Sequence, residues 1–138
     1  DSGRYAKHFG ARVWIHGDDR DGATFASDLI EGEKPVSVAG DILAIPVPGH
    51  TRGSVMFLAG SLLFSGDSLA WDHDDKQLVA FRSVCWYDWP TQLRSLARLA
   101  AYRFDRVLPG HGGTVDDTAE ALQGALADML KRYHVQAV

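Results

Sequence analysis

The sequence predicts an α/β fold in which a group of short β-strands is enclosed by α-helices. A helix-like segment precedes a strand-like segment within the first 16 residues, and four strand-like segments follow one another between positions 36 and 64. Two later segments carry apolar residues at helical spacing. With 138 residues, of which 46% are hydrophobic and 23% charged, the chain is expected to form one globular domain over residues 1–138.

The N-terminal part of the chain predicts one helix and one strand. Ser2 is the expected N-cap of a helix that runs to Phe9, and Gly10 is the expected residue just past its end. Residues 11–16 are rich in β-branched and aromatic side chains and therefore predict a strand. The polar stretch that follows predicts no more than one helical turn, at residues 25–30.

The middle of the chain predicts a β-meander, because short apolar segments alternate with glycines. The candidate strands are Val36–Val38, Asp41–Val47, Ser54–Ala59 and Ser61–Phe64. Gly60 is expected to form a tight hairpin between the last two strands. Residues 56–58 and 62–64 are continuously apolar, which predicts strands covered on both faces. Residues 77–82 predict a further strand.

The C-terminal third predicts two helices with a strand between them. Thr91–Tyr102 has helical spacing, and Pro90 is tolerated near the start of that helix. Arg106–Leu108 is a short strand, and Asp116 or Asp117 is the expected cap of the last helix. The apolar face of the last helix consists of Leu122, Ala125, Leu126, Met129 and Leu130.

Three of the predicted strands end in glycine-containing turns, and each turn presents one side chain that can bind a metal. The turns and their candidate ligands are residues 47–54 with His50, residues 65–68 with Asp67, and residues 108–112 with His111. Imidazole nitrogen and carboxylate oxygen suit zinc or iron, and short turns on a rigid scaffold hold such ligands in fixed geometry. The sequence therefore predicts a metal site built from three strand ends.

The three segments read Pro48-Gly49-His50-Thr51-Arg52-Gly53-Ser54, Phe64-Ser65-Gly66-Asp67-Ser68 and Leu108-Pro109-Gly110-His111-Gly112. In order, residue type and turn context they resemble the metallo-β-lactamase superfamily, and the resemblance covers most of the chain. It implies an αββα sandwich, incomplete here at its N-terminus, with a site at one edge between two sheets. It also implies that His50 completes one metal site, that Asp67 bridges two metals, and that His111 belongs to the second.

The same resemblance implies a metal-dependent hydrolase with two zinc ions, in a site that iron or manganese could also occupy. A pair of metals lowers the pKa of a bridging water towards about 7 and polarises a carbonyl oxygen. The implied reaction is attack by metal-bound hydroxide on an ester, thioester or lactone-type bond of a small-molecule substrate. Asp67 is its implied catalytic residue, because the two oxygens of a carboxylate can be shared between two cations.

The histidine-rich motif of that superfamily, His-x-His-x-Asp-His, does not occur in the 138 residues. The resemblance therefore implies that the chain is the C-terminal part of the domain, with the motif expected immediately upstream of Asp1. His50, Asp67 and His111 give each metal two protein ligands, whereas catalytic zinc sites usually have three, so these residues alone are expected to hold metal weakly or not at all. Without the N-terminal strands, a sheet edge and an apolar face are expected to lie open to self-association.

Two other functions remain open beside hydrolysis. A non-catalytic relative would keep the fold as a binding or interaction module after losing its metal site. Another alternative keeps the metals but replaces hydrolysis by redox chemistry at iron, as in other branches of the superfamily, and the identity of the metal would separate these two reactions. An intact histidine-rich motif upstream of Asp1 would favour an enzyme over a binding module.

Several side chains near the three turns are expected to have structural roles. Thr51 and Ser54 are expected to bond the turn backbone, and His16 is expected to be a hydrogen-bonded structural histidine. Cys85 is expected to be a small buried side chain and not a nucleophile. For four aromatic residues, lining a substrate pocket and packing under the loop after Asp67 are equally compatible with the sequence. These residues are Trp71, Trp86, Tyr87 and Trp89.

The composition bears on partners and location. A formal net charge of −4 and scattered Lys and Arg residues predict no nucleic-acid partner. No apolar run approaches the roughly 18 residues of a membrane span, and the start does not resemble a signal peptide, so no membrane partner is predicted. Cys85 is the only cysteine, which excludes an internal disulfide. We predict a cytoplasmic protein, because a lone cysteine favours a reducing compartment.

Overall fold

The computed structural model describes residues 1–135, and in that range the chain forms three α-helices and ten β-strands. In chain order they are α1 (Ser2–Phe9), β1 (Trp14–His16), β2 (Asp28–Ile30), β3 (Val36–Ala39), β4 (Ile42–Pro46), β5 (Val55–Ala59), β6 (Leu62–Gly66), β7 (Ala70–Asp72), β8 (Gln77–Val79), α2 (Trp89–Ala97), β9 (Arg106–Pro109), β10 (Val115–Asp116) and α3 (Ala119–Arg132). Short 3-10 helices occupy residues 17–22, 82–84 and 98–101. The predicted α/β class is confirmed.

A six-stranded sheet forms the centre of the fold, with the strand order β10-β9-β6-β5-β4-β3. Neighbouring strands are antiparallel except β6 and β9, which are parallel. Because β4, β6 and β9 therefore run in the same direction, their C-terminal ends lie at the same end of the sheet. The turns that carry His50, Asp67 and His111 follow these three strands, so the topology gathers the three turns in one place.

Helices α2 and α3 cover one face of this sheet. Met56 on β5, Leu63 on β6 and Val107 on β9 are fully buried on that face. The helices contribute Leu96, Leu122, Leu126, Met129 and Leu130 to the same cluster. Burying a large apolar side chain stabilises the folded state by about 1.5–3 kcal/mol, so this cluster is the main source of stability.

The opposite face of the sheet is only partly covered, since Ala44 is buried there while other residues are exposed. Phe64 on β6 and Ile42 on β4 are 44% and 36% exposed, and a groove of about 810 Å³ separates this face from α1. The prediction that residues 62–64 are covered on both faces is therefore wrong. Its physical reason is that α2 and α3 reach only the face that carries Leu63. Self-association through the partly covered face and the sheet edge stays a prediction.

The strands of the meander, the hairpin at Gly60, the helix end at Gly10 and both C-terminal helices are confirmed, with ends shifted by a few residues. The helical turn predicted at residues 25–30 is wrong. Residues 28–30 form β2, which pairs in parallel with β1. Strand β7 was not predicted, and it pairs with β8 in a separate two-stranded sheet.

The predicted caps of two helices are wrong by one or two residues. Helix α1 has Asp1 as its N-cap, so Ser2 lies inside the helix. Helix α3 is capped by Thr118, whose hydroxyl oxygen accepts a hydrogen bond from the helix backbone, and not by Asp116 or Asp117. None of the helices in residues 1–135 has the length and hydrophobicity that crossing a membrane requires.

Candidate metal centre

Three side chains meet where β4, β6 and β9 end. The two carboxylate oxygens of Asp67 face different imidazoles, since Oδ1 lies 2.7 Å from Nδ1 of His111 and Oδ2 lies 3.7 Å from Nε2 of His50. The structure thus brings together all three residues that the sequence singled out, with the carboxylate between the two histidines. Their role as metal ligands stays a prediction.

The three side chains differ in exposure. The side chain of His50 is 13% exposed and that of Asp67 is 33% exposed, whereas His111 is 87% exposed. Nδ1 of His50 is buried and has no hydrogen-bond partner among residues 1–135. An unpaired buried polar atom costs roughly 1–3 kcal/mol, so its presence calls for a reason other than packing.

The glycine before His111 makes room for Asp67. A Cβ atom on Gly110 would lie 2.7 Å from Oδ1 of Asp67, which is closer than ordinary van der Waals contact. The backbone N–H of Gly110 also donates to the carbonyl of Gly66 at 2.7 Å. Direct backbone contact between the ends of β6 and β9 therefore sets the short distance from Asp67 to His111.

A carboxylate that the sequence analysis missed holds the turn after His50. Asp19 accepts a hydrogen bond from the hydroxyl of Thr51 through Oδ2 and one of 3.0 Å from the backbone N–H of Gly53 through Oδ1. The hydroxyl oxygen of Ser54 accepts from the backbone N–H of Thr51 at 2.9 Å. Ser54 therefore bonds the turn backbone, as predicted, whereas the hydroxyl of Thr51 bonds the side chains of Asp19 and Ser54. The sequence does not identify Asp19 as a residue that holds the turn, because it is one of several acidic residues in a polar stretch.

Replacing Asp19 by alanine is expected to lower the free energy of unfolding by about 2 kcal/mol, because two donors in the turn lose a charged acceptor. Urea unfolding measures this difference. Asp21→Ala is a matched control, because Asp21 is exposed on the same 3-10 helix as Asp19. Equal stabilities of the two variants would contradict the role of Asp19 in holding the turn.

The segment around Trp86 packs against the same turn. The backbone N–H groups of Trp86 and Tyr87 donate to the carbonyl of His50 at 3.0 and 3.2 Å, and the ring of Trp86 lies 5.2 Å from the imidazole. The thiol of Cys85 donates to the carbonyl of Gly49 at 3.1 Å. Burial raises the pKa of the Cys85 thiol, which disfavours the nucleophilic thiolate and agrees with a structural role.

A cavity of about 400 Å³ opens over His50, Asp67 and His111. The rest of its wall is mostly apolar and consists of Leu69, Ala70, Phe81, Ser83, Val84 and Trp86. Of the four aromatic residues left open by the sequence, Trp86 lines this cavity, whereas Trp71 and Trp89 pack against the core. Tyr87 instead lies under the guanidinium group of Arg52.

His16 has the structural role that the sequence predicts. The imidazole is 5% exposed, and its Nδ1 accepts a hydrogen bond of 3.1 Å from the backbone N–H of Asp18. With Nδ1 as acceptor, Nε2 carries the proton and donates to the carbonyl of Gly32 at 2.8 Å. Both ring nitrogens are therefore occupied, in contrast to those of His50.

The three candidate ligands fit a metal centre in type but not in number. Two imidazoles and one carboxylate suit zinc, iron or manganese, yet each of two metal positions would receive only two ligands, one fewer than a catalytic zinc usually has. Among residues 1–135, no group of three or more His, Cys, Asp and Glu side chains could hold a metal ion. Residues outside this part of the chain would have to complete either position.

No protein-family model and no curated protein sequence matches this chain. Solved structures do match it. A metallo-β-lactamase superfamily protein from Sulfolobus tokodaii is 19% identical with a TM-score of 0.62, and the match covers 96% of this chain and 62% of that chain. ETHE1 from Myxococcus xanthus is 22% identical with a TM-score of 0.64, covering 94% of this chain and 56% of that chain.

The BLEG-1 B3 metallo-β-lactamase is also similar, with 21% identity and a TM-score of 0.64 over 92% of this chain and 67% of that chain. This chain thus spans between 56% and 67% of the length of these three structures. At such identities the likeness concerns the fold alone. The chain has the fold of the metallo-β-lactamase superfamily, as its three glycine-containing turns predict.

Proposed function

We propose that this chain belongs to a metal-dependent hydrolase that acts on an ester, thioester or lactone-type bond of a small-molecule substrate. The observation that carries the proposal is the position of Asp67, whose two oxygens each face a different imidazole at the shared end of β4, β6 and β9. A carboxylate placed in this way can be shared by two cations, with one histidine serving each. Asp67 is the residue on which the proposed activity depends.

In this proposal Asp67 bridges two metal positions, His50 serves one of them and His111 serves the other. Zinc is the metal we favour, and iron or manganese fits the same donor types. Two metals bound there would polarise a carbonyl oxygen and lower the pKa of a water molecule. The chain itself contributes the carboxylate and imidazoles, held at short distance by the contact between Gly110 and Gly66.

The cavity above these side chains supports a small-molecule substrate. Its volume of about 400 Å³ and its apolar wall suit the acyl part of an ester or thioester. Trp86 covers one side of His50 and limits the access of water to that imidazole.

Metal content and hydrolysis of the full-length gene product test the proposal together. The protein, reconstituted in turn with zinc, manganese and iron, is expected to bind at least one of them in stoichiometric amounts. It should then hydrolyse a chromogenic ester or a thioester, lose this activity after chelation, and regain it when the metal returns. If the protein bound none of the three metals in stoichiometric amounts, the proposal would be contradicted. If only the iron form were active, and in redox chemistry instead of hydrolysis, the redox alternative would replace the hydrolase.

A non-catalytic binding module is the second candidate function. It is compatible with the two protein ligands that the described residues offer to each metal position, one fewer than a catalytic zinc usually has. The same reconstitution separates the two candidates, because a module without a metal site would bind neither zinc, manganese nor iron stoichiometrically.

A further inference from the structure

A second cavity, of about 660 Å³, lies beside the turn that carries His50 and shares no lining residue with the cavity over the candidate metal centre. The two cavities are separate, but some of their lining residues are neighbours in the sequence. Trp86 lines the first cavity and Tyr87 lines the second, while His50 belongs to the first and Arg52 to the second. The second cavity therefore lies close to the candidate metal centre without being part of it.

Three arginines line this second cavity. Arg94 and Arg98 are four residues apart on or just after α2, so they share one face of the helix. Arg52 comes from the turn after His50. Both lie at the C-terminal end of α2, where the helix dipole stabilises cations, although like charges at this spacing also repel each other by a few tenths of a kcal/mol.

The three guanidinium groups differ in their partners. Arg98 donates to the carbonyl of Pro46 at 3.1 Å and lies 3.9 Å from a carboxylate oxygen of Glu33, which offsets its charge. Arg94 donates to the hydroxyl of Thr91 at 2.7 Å. Within residues 1–135, neither Arg94 nor Arg52 forms an ion pair with a carboxylate.

The guanidinium group of Arg52 lies against an aromatic ring. Its guanidinium carbon lies 4.9 Å from the ring centre of Tyr87, at a distance where the cation is attracted to the ring face. Tyr87 is itself fixed by the hydrogen bond from its backbone N–H to the carbonyl of His50. Arg52 and Arg94 are therefore exposed cations that form no ion pair in the described part of the chain, one lying against a ring and the other hydrogen-bonded to Thr91. The pKa of Asp88 is lowered, first by hydrogen bonds from Thr91 and in smaller part by the charge of Arg94.

The other wall of the cavity carries negative charge. Asp18, Glu31 and Glu33 line it, and Glu33 is the one paired with Arg98. Carboxylates on that wall repel a ligand with many negative charges, such as a nucleic acid. The cavity therefore suits a small molecule whose single anionic group lies against the arginine wall.

We propose that this second cavity binds a small molecule through an oxyanion group, a carboxylate or a phosphate, held by Arg52 and Arg94. A guanidinium group presents parallel N–H donors that match the geometry of both groups. Tyr87 contacts Arg52, and Thr91 accepts a hydrogen bond from Arg94, so each arginine already has a neutral contact at the cavity. This site needs no metal and goes beyond the proposed hydrolase activity.

Arginine side-chain NMR of the metal-free full-length protein tests the proposal, with inorganic phosphate and succinate titrated separately as probes. At least one probe should shift the Nε–Hε resonances of Arg52 and Arg94 with a single saturating binding curve. Binding of phosphate alone or of succinate alone would identify the kind of oxyanion. Absence of saturable binding of both probes would overturn the proposal.

Three substitutions make the same test specific. Arg52→Gln and Arg94→Gln are each expected to weaken binding of the probe about tenfold, since each removes a charge-assisted hydrogen bond to the anion. Arg103→Gln is the matched control, because it removes the same charge from an exposed arginine that is paired with Glu120 outside the cavity. Equal weakening by all three variants would indicate diffuse charge attraction and would also overturn the proposal.

Discussion

Replacing Asp67 by alanine is expected to abolish both metal binding and hydrolysis in the full-length protein. Among residues 1–135, Asp67 is the side chain that faces both His50 and His111, so its loss leaves each proposed metal position with one ligand from this part of the chain. Loss of bound metal removes several kcal/mol of transition-state stabilisation, and we expect the hydrolysis rate to fall by at least about a thousandfold. Elemental analysis of the desalted protein and the rate of ester hydrolysis measure the two effects.

The matched control is Asp41→Ala, which removes one exposed carboxylate outside the candidate site. It should leave metal content and hydrolysis unchanged. Asp67→Asn keeps the shape of the side chain but removes its charge, and it should also lose metal, because a neutral amide is a poor bridge between cations. If Asp67→Ala retained the metal content of the parent protein, the bridging role of Asp67 would be wrong.

The candidate site could be predicted from the sequence because its signal is local. Each of His50, Asp67 and His111 follows an apolar strand-like run and a glycine, and such turns lie at strand ends. The local sequence does not show which strand ends lie next to one another in the fold. Asp67 and His111 approach to 2.7 Å because β6 and β9, far apart in the chain, pair in parallel.

The wrong predictions concern positions where several residues have the same local preference. Tertiary contacts then determine which of these residues takes the predicted role. Asp116, Asp117 and Thr118 are all good N-cap residues. Pairing of β10 with β9 places Asp116 in a strand, and the backbone N–H of Asp117 donates to the carbonyl of Asp105. Only Thr118 remains to cap α3. The local sequence is also ambiguous at Phe64, which is exposed. A continuous apolar run does not show whether helices cover one face of the strand or both.

Replacing Gly49 by alanine is expected to lower the free energy of unfolding by at least about 3 kcal/mol. Gly49 has φ +153, and a Cβ atom there would lie 2.2 Å from Cβ and 2.3 Å from Cα of Gln92 on α2. The clash involves the backbone of a helix, so it cannot be relieved by rotating a flexible side chain. Either the turn that carries His50 or the whole of α2 would have to move. Urea unfolding of the variant measures the cost.

Two hydrogen bonds make that movement costly. The hydroxyl of Ser95 donates to the carbonyl of Pro48 at 2.7 Å, and the amide of Gln92 donates to the carbonyl of Ser68 at 3.2 Å. Both are at least partly buried, so movement of α2 would leave polar groups at two turns without partners, and movement of the His50 turn alone would break the bond to Pro48. Gly22→Ala is the matched control, because a Cβ atom on Gly22 meets nothing within 4 Å and should change stability little. If Gly49→Ala were as stable as Gly22→Ala, the turn and α2 would not be in direct backbone contact, and the position of His50 would not depend on that helix.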